Sequence, residues 1–374
     1  MSLLVISRKQ LLFELYESKK MIYRIINLPP QSQSLISMSI SPFLSLLCDG
    51  IDSLFSEGEI KLSEGMGNIG NISFTKLMTQ NRASIKLLTD KKISNAVNRI
   101  DEQIISFNNS LTDGYGALEK NFISIFGQPD LGVYFFRGIS FSNTSQLSIY
   151  QDMFRKITDN NMDDQRLGLI LRDFSAAQTS FINSFVSQTE GSIFPIINVE
   201  DCNIDINDSD FSEKDFIFYN EAKRNIFTKY ADKDIILYLL NLKCQLSFAL
   251  KIIPEIIDRK SSLRLRIEMI TYYQSAKTIE FLIKKNKIPL NKKAEKVVEG
   301  ILIDFKSIFL GNSLRSNIYH YKLSDDNLKM SLDNDFFISM VEFQTKKSFN
   351  LVFENIEKNM MELVRILDEI TVLD

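Results

Sequence analysis

The spacing of apolar residues along this chain restricts it to a mostly helical fold. Apolar side chains recur at three- and four-residue steps over residues 93–107, 167–185 and 349–370. That spacing is typical of an amphipathic helix with one buried face. Glycine and proline are scarce, at 14 and 7 of 374 residues, which favours long helices with few turns. The sequence therefore predicts a mostly α fold.

Two short runs are the best strand candidates. They lie at 131–141 (LGVYFFRGISF) and 192–199 (SIFPIINV), while the glycine-rich stretch 64–73 is typical of a loop. We therefore expect at most a small β element, within a largely helical N-terminal region.

An acidic segment at 200–216 suggests a boundary. It contains seven carboxylates against one lysine: Glu200, Asp201, Asp205, Asp208, Asp210, Glu213 and Asp215. A calcium-binding EF-hand loop counted from Asp205 would need Gly and Glu where Asp210 and Phe216 stand. We interpret the segment as a solvated acidic linker or loop. It separates an N-terminal helical region, 1–205, from a helical domain, 217–374, with helices expected near 217–231, 232–257, 260–287, 290–310, 312–323 and 346–372.

Composition narrows the function classes. The formal net charge is −3 and 44% of residues are hydrophobic, so overall charge predicts no polyanionic partner. Cys48, Cys202 and Cys244 are far apart, and with one histidine they do not form a zinc motif. We expect neither a metal nor a cofactor.

No signal peptide is recognisable, and polar residues interrupt the most apolar segment, 235–257. We therefore expect a buried helix, no membrane association and a cytoplasmic location.

Basic residues are concentrated in one part of the chain. Between 243 and 296 there are thirteen Lys or Arg and five Asp or Glu. Such clusters attract phosphate backbones, although they also occur as solvated helix faces. The candidate RNA-binding residues are Arg259, Lys260, Arg264, Arg266, Lys284, Lys285 and Lys287.

The only histidine, His320, follows Arg315 by five positions in the segment LRSNIYHY. Histidine is the side chain whose ordinary pKa suits acid–base chemistry near neutral pH. Asn312 or Ser313 is a plausible N-cap, so Arg315 should open a helix. Five residues turn a helix by about 500° and advance it about 7.5 Å. The pair could therefore share a site only if Arg315 reaches round or a second subunit completes it across a dyad.

Such a pair suits metal-free RNA cleavage. The imidazole can take a proton from a ribose 2′-OH or donate one to the leaving 5′-oxygen, while the guanidinium binds the scissile phosphate. Ser316, Asn317 and Tyr321 could orient the phosphate or the ring. The alternative is a structural histidine at a helix end, with Arg315 paired to Asp325 or Asp326.

The segment resembles the HEPN superfamily, whose signature is Arg-x4-6-His near the start of a late helix of a small bundle. The resemblance covers about residues 230–374, through LRSNIYHY, KLSDDNLKM and the long helix ending in VRILDEI. In many members a polar residue, often Asn, directly follows the Arg; here that residue is Ser316, and Asn317 comes one place later. The Arg-x4-His-x-Tyr pattern of antitoxin-linked HEPN toxins is not met, because Tyr321 directly follows His320.

The resemblance implies a C-terminal HEPN-like helical bundle with Arg315 and His320 as the catalytic pair of a metal-independent endoribonuclease. It also implies a homodimer, and a role in antiphage defence, abortive infection or toxin–antitoxin growth arrest. The alternative is a non-catalytic HEPN-like module that binds or assembles with other proteins. By analogy with defence proteins, the N-terminal region would sense a trigger or bind a regulatory or neutralising partner. Signatures of small-molecule enzymes, such as a P-loop or GxSxG, are absent from the sequence.

Overall fold

A computed structural model of the protein describes residues 2–55, 67–69, 71–85, 115–146, 164–218, 220, 223–224, 233–285, 287–288, 290–323 and 336–371. The helices are α1 Leu3–Ile26, α2 Pro30–Leu54, α3 Phe74–Ser84, α4 Ala117–Phe126, α5 Asp164–Ser187, α6 Lys233–Ser247, α7 Ile253–Ile256, α8 Ser262–Lys284, α9 Lys292–Ile308, α10 Asn312–Tyr319, α11 Phe336–Thr345 and α12 Phe349–Ile370. The strands are β1 Asn68–Ile69, β2 Ile72–Ser73, β3 Leu131–Phe136, β4 Ile139–Asn143 and β5 Phe211–Phe216. The predicted mostly α fold with a small β element is confirmed.

The N-terminal helices form one packed group. α1 and α2 pack against each other, and α5 lies against both. Leu11, Leu15, Ile22 and Ile25 recur along α1 and are all buried, because side chains three and four residues apart share one helix face. Pro30 starts α2 at a position where its missing N–H costs nothing. The predicted helix at 93–107 lies outside the described residues, whereas the one at 167–185 is α5.

A three-stranded antiparallel sheet, ordered β4-β3-β5, packs on α6. The predicted strand at 131–141 is a hairpin, because Arg137 and Gly138 both have positive φ, 47° and 80°. That is the combination a tight type I′ turn requires. The prediction of a strand at 192–199 is wrong. Apart from one isolated bridge at Phe194, the chain there has no strand pairing, and Pro195 lacks the N–H for a ladder hydrogen bond.

The acidic segment does not form the solvated linker that the sequence suggested. β5 pairs with β3 along its whole length, from Leu131 opposite Phe216 to Phe136 opposite Phe211. The middle four residues of β5 are exposed, so an edge strand holds polar side chains in solvent while its backbone is paired. Of the glycine-rich stretch, 67–69 and 71–73 contain the short β1–β2 hairpin instead of a loop.

The C-terminal helices form a bundle in which α12 packs against α6, α8 and α9. α6 carries Leu237 and Leu240, which are fully buried. The helix expected at 312–323 ends earlier, at Tyr319, and α11 was not foreseen. The helix expected near 217–231 lies mostly outside the described residues.

Buried apolar residues from both halves belong to one continuous core cluster. α1 packs on α8 and α11 as well as on α2 and α5, so this N-terminal helix contacts two helices of the C-terminal half directly. The division into 1–205 and 217–374 stays a prediction.

In the part of the chain that the structure describes, two helical segments, Ser32–Leu54 and Ile235–Ile256, have the length and composition to cross a membrane. However, 61% and 83% of their most apolar windows are buried inside the fold. Buried core helices pass the same test, so these two are weak evidence for a membrane. The cytoplasmic location stays a prediction.

Candidate functional site

Helix α10 presents Arg315 to solvent. Leu314 and Ile318, four residues apart, are buried and anchor one face of the helix, so Arg315 lies on the exposed face. The N-cap is Gly311, with no side-chain cap hydrogen bond, and not Asn312 or Ser313 as the sequence suggested. The guanidinium carbon of Arg315 lies 5.8 Å from the ring centre of Tyr273 on α8. Among the described residues no carboxylate pairs with Arg315, and Asp325 and Asp326 lie outside them.

His320 directly follows Tyr319, the last residue of α10. Its backbone is extended, with φ −137° and ψ 136°, and its side chain is partly exposed. Arg315 lies within the helix and His320 follows its last turn, so the two side chains do not share a helix face. Arg315 is therefore accessible to solvent, and His320 is partly accessible.

A buried ion pair fixes the end of α10 next to His320. Arg266 of α8 donates from Nη1 to the carbonyl oxygens of Asn317 (2.8 Å) and Ile318 (3.0 Å). Its Nε and Nη2 donate to the two carboxylate oxygens of Glu14 on α1, at 2.8 and 3.0 Å. The last carbonyls of a helix have no partner within the helix, so Arg266 caps α10. We call Arg266 and Glu14 the α10 clamp.

The α10 clamp is buried, and Tyr321 makes further contacts with both of its residues. Side-chain exposure is 3% for Arg266 and 0% for Glu14. Tyr321 donates its hydroxyl to Glu14 at 2.5 Å, and the Arg266 guanidinium lies 4.4 Å from the Tyr321 ring centre. Burial raises the pKa of Tyr321 well above its ordinary value, with the Glu14 carboxylate adding to that rise, so this hydroxyl stays protonated. Tyr321 therefore acts in the fold's interior, where it helps to hold His320 in place.

One more contact ties α1 to the same segment, because the backbone N–H of Leu323 donates to the hydroxyl of Ser7 at 3.1 Å. Within α1, Gln10 donates to Glu14. Sequence analysis missed Glu14. The available signal was its position among Leu11, Leu15 and Ser18 on the buried face of α1, where a carboxylate needs a cationic partner.

The other predicted supporting residues divide between surface and interior. Ser316 is half-buried. Asn317 is 1% exposed, and neither its side-chain oxygen nor its nitrogen has a hydrogen-bond partner among the described residues. An unpaired buried amide is costly, so Asn317 stands out as an unsatisfied group on the buried face of α10.

The predicted RNA-binding residues also divide between surface and interior. Arg259 and Lys260 are exposed. So are three residues at and beyond the end of α8, which we call the lysine cluster: Lys284, Lys285 and Lys287.

Arg264 and Arg266 do not face solvent, contrary to expectation. Arg264 donates to Glu268 at 2.6 Å and lies 3.3 Å from Glu357, and Arg266 belongs to the clamp. Long side chains on a basic stretch can turn inward when carboxylates receive them. The exposed part of the first basic cluster therefore consists of Arg259 and Lys260.

The described residues contain no group of three or more His, Cys, Asp or Glu side chains that could hold a metal ion. Cys48, Cys202 and Cys244 are buried free thiols, and burial raises the pKa of Cys244 to about 11. These thiols therefore stay protonated and unreactive.

Comparisons with protein-family models, with curated proteins and with solved structures find no match to this chain.

Proposed function

We propose that this protein is a metal-independent endoribonuclease of the HEPN type, acting as a homodimer in antiphage defence, abortive infection or toxin–antitoxin growth arrest. The observation that supports this best is the state of the Arg-x4-His segment. Arg315 is exposed without a carboxylate partner among the described residues, and His320 is partly exposed at a helix end that a buried clamp holds in place.

In this proposal the two side chains divide the chemistry of phosphodiester cleavage. One His320 imidazole accepts the proton of a ribose 2′-OH as its oxygen attacks the phosphorus, and the other protonates the leaving 5′-oxygen. The products are a 2′,3′-cyclic phosphate and a 5′-hydroxyl. Arg315 stays protonated and binds the phosphate oxygens, whose charge it stabilises in the transition state.

A dimer supplies what one chain lacks. Arg315 lies within α10 and His320 directly follows it, so a twofold axis near this helix end would bring two arginines and two histidines to one cleft. The lysine cluster, Arg259 and Lys260 would bind RNA phosphates outside that cleft, since exposed cations attract a polyanion.

The test is expression of the wild type beside Arg315→Ala and His320→Ala, with Arg172→Ala, an exposed arginine on α5, as the matched control. We expect growth arrest and RNA degradation with the wild type and the control only, and a dimeric mass for all four proteins by light scattering. Identical RNA profiles from four folded proteins would contradict the proposal.

A second candidate is a non-catalytic helical module that binds or assembles with other proteins. It is favoured by the burial of Asn317 and Tyr321, which leaves fewer polar groups available beside His320. The burial of Arg264 and Arg266 also removes two of the candidate RNA-binding residues. This candidate predicts a stable fold and partner binding, with no RNA cleavage in any variant.

A further inference from the structure

A cleft of about 530 Å³ lies between α1, α2 and α5. It shares no residue with the Arg315–His320 segment or with the α10 clamp. Its volume falls within the range of about 300–1,000 Å³ that small-molecule sites occupy. A cleft of this size can hold a compact organic ligand, but it is too small to hold a folded protein.

One wall of the cleft is apolar. Ile22 of α1 lies one turn before the adjacent Ile25 and Ile26, and Ile40 and Leu44 of α2 continue the surface. All but Ile26 are buried, and Ile26 is 50% exposed at the cleft. Contact with this wall would remove apolar ligand surface from water, which contributes roughly 25 cal/mol per Å².

The opposite wall is polar but uncharged. Ser175, Thr179 and Asn183 recur at four-residue steps along α5 and line the cleft. Gln178 lies beside them with its amide already bonded: it accepts from Ser41 at 2.9 Å and donates to Ser45 at 2.5 Å. This network holds α2 and α5 at a fixed separation, so the cleft is preformed.

Asn183 carries an unused hydrogen-bonding group. Its Oδ1 is buried and has no donor among the described residues. A buried oxygen that accepts no hydrogen bond destabilises the folded protein, and a ligand with a donor would remove that cost. A rotation about the terminal torsion of the Asn183 side chain can turn this oxygen towards the cleft.

Among the residues that the structure describes, those lining the cleft include no Asp, Glu, Lys, Arg or His. A charged ligand would lose hydration here without gaining an ionic partner. We propose that this cleft binds a neutral small organic molecule that has an apolar face and an N–H or O–H donor for Asn183. This site is independent of the nuclease proposal, because its test measures binding alone.

The probe is naphthalene-2-carboxamide, which is neutral, apolar on its faces and a donor at one edge. Calorimetric titration of the 374-residue chain should show saturable binding at one site. Naphthalene-2-carboxylate, the charged analogue of similar shape, should bind at least about tenfold more weakly, equivalent to about 1.4 kcal/mol. Methyl 2-naphthoate, which lacks a donor, should also bind more weakly than the carboxamide.

Two variants locate the site. Ala176→Trp adds a bulky ring at an exposed position in the lining and should abolish binding, whereas Arg172→Trp, one turn away on α5 and outside the lining, should not. Asn183→Leu should reduce carboxamide affinity to that of the ester. The proposal is overturned if the carboxamide shows no saturable binding, if the carboxylate binds equally well, or if Ala176→Trp binds like Arg172→Trp.

Discussion

Replacing Glu14 by glutamine should destabilise the protein far more than the small change in shape suggests. The variant keeps the size of the side chain but leaves the Arg266 charge buried at 3% exposure without its counter-ion. It also sets an amide against guanidinium N–H groups, where two carboxylate hydrogen bonds of 2.8 and 3.0 Å had been. Removing one partner of a buried ion pair costs about 3–5 kcal/mol, a large share of a typical stability of about 5–15 kcal/mol.

Glu17→Gln is the matched control. Glu17 lies on the same helix and pairs with Lys20 at 3.0 Å, with side chains 19% and 26% exposed, so its loss should cost less than about 1 kcal/mol. The unfolding free energy is obtained from urea titrations of both variants, with the slope compared to detect a changed transition. If Glu14→Gln does not fold, Tyr321→Phe removes one hydrogen bond to Glu14 and should cost about 1.5–3 kcal/mol.

A local readout separates the clamp from general stability. His320 is the only histidine, so its imidazole gives a single set of NMR signals. Because the clamp holds the carbonyls of the two residues before Tyr319, the His320 signals should shift in Glu14→Gln and stay in place in Glu17→Gln. Equal unfolding free energies for the two variants, with unchanged His320 signals, would refute the role given to the clamp.

Three further outcomes are expected. Leu367 is fully buried, whereas Phe353 is only partly buried. Truncation to alanine should lower the free energy of unfolding by about 2–5 kcal/mol at Leu367 and by about 1 kcal/mol at Phe353. Equal shifts of the melting temperature in the two variants would contradict this packing. Burial raises the pKa of Glu268 to about 7, although the nearby Arg264 acts to lower it. Between about pH 4.5 and 7 the folded state therefore binds more protons than the unfolded state. The contribution of Glu268 to the free energy of unfolding then falls as the pH rises through that window. Glu268→Gln should flatten that part of the melting-temperature profile, and an unchanged profile would count against it. Replacing the lysine cluster by alanine should weaken RNA binding and reduce the log–log salt slope by up to about 2, and the idea fails if the same loss follows replacement of three exposed lysines elsewhere, Lys9, Lys76 and Lys120.

The elements that could be predicted are those whose signal is local. The stripe from Phe349 to Ile370 forms a helix because apolar spacing alone specifies its buried face. The hairpin at 131–143 was recognisable as a β segment because aromatic and β-branched residues flank a glycine turn. By contrast, β5 has exposed polar residues along its middle, and only its pairing with β3 makes it a strand. Tertiary pairing of this kind is invisible in a single segment.

The candidate site shows the same limit at the level of side chains. The sequence placed Arg315 and His320 on one short helix, and the structure has them in and directly after α10. It could not tell that Arg266 faces inward, because its partner Glu14 lies more than 250 positions earlier. Counting charges within a stretch measures attraction to phosphate only when the side chains face water.

The most direct measurement of the central claim uses purified protein and a defined single-stranded RNA in EDTA. We expect the wild type to cut the RNA and leave 2′,3′-cyclic phosphate ends, to spare the same strand carrying 2′-deoxyribose, and to lose activity in both Arg315→Ala and His320→Ala. Cleavage that survives either substitution, or that requires a divalent cation, would contradict the account.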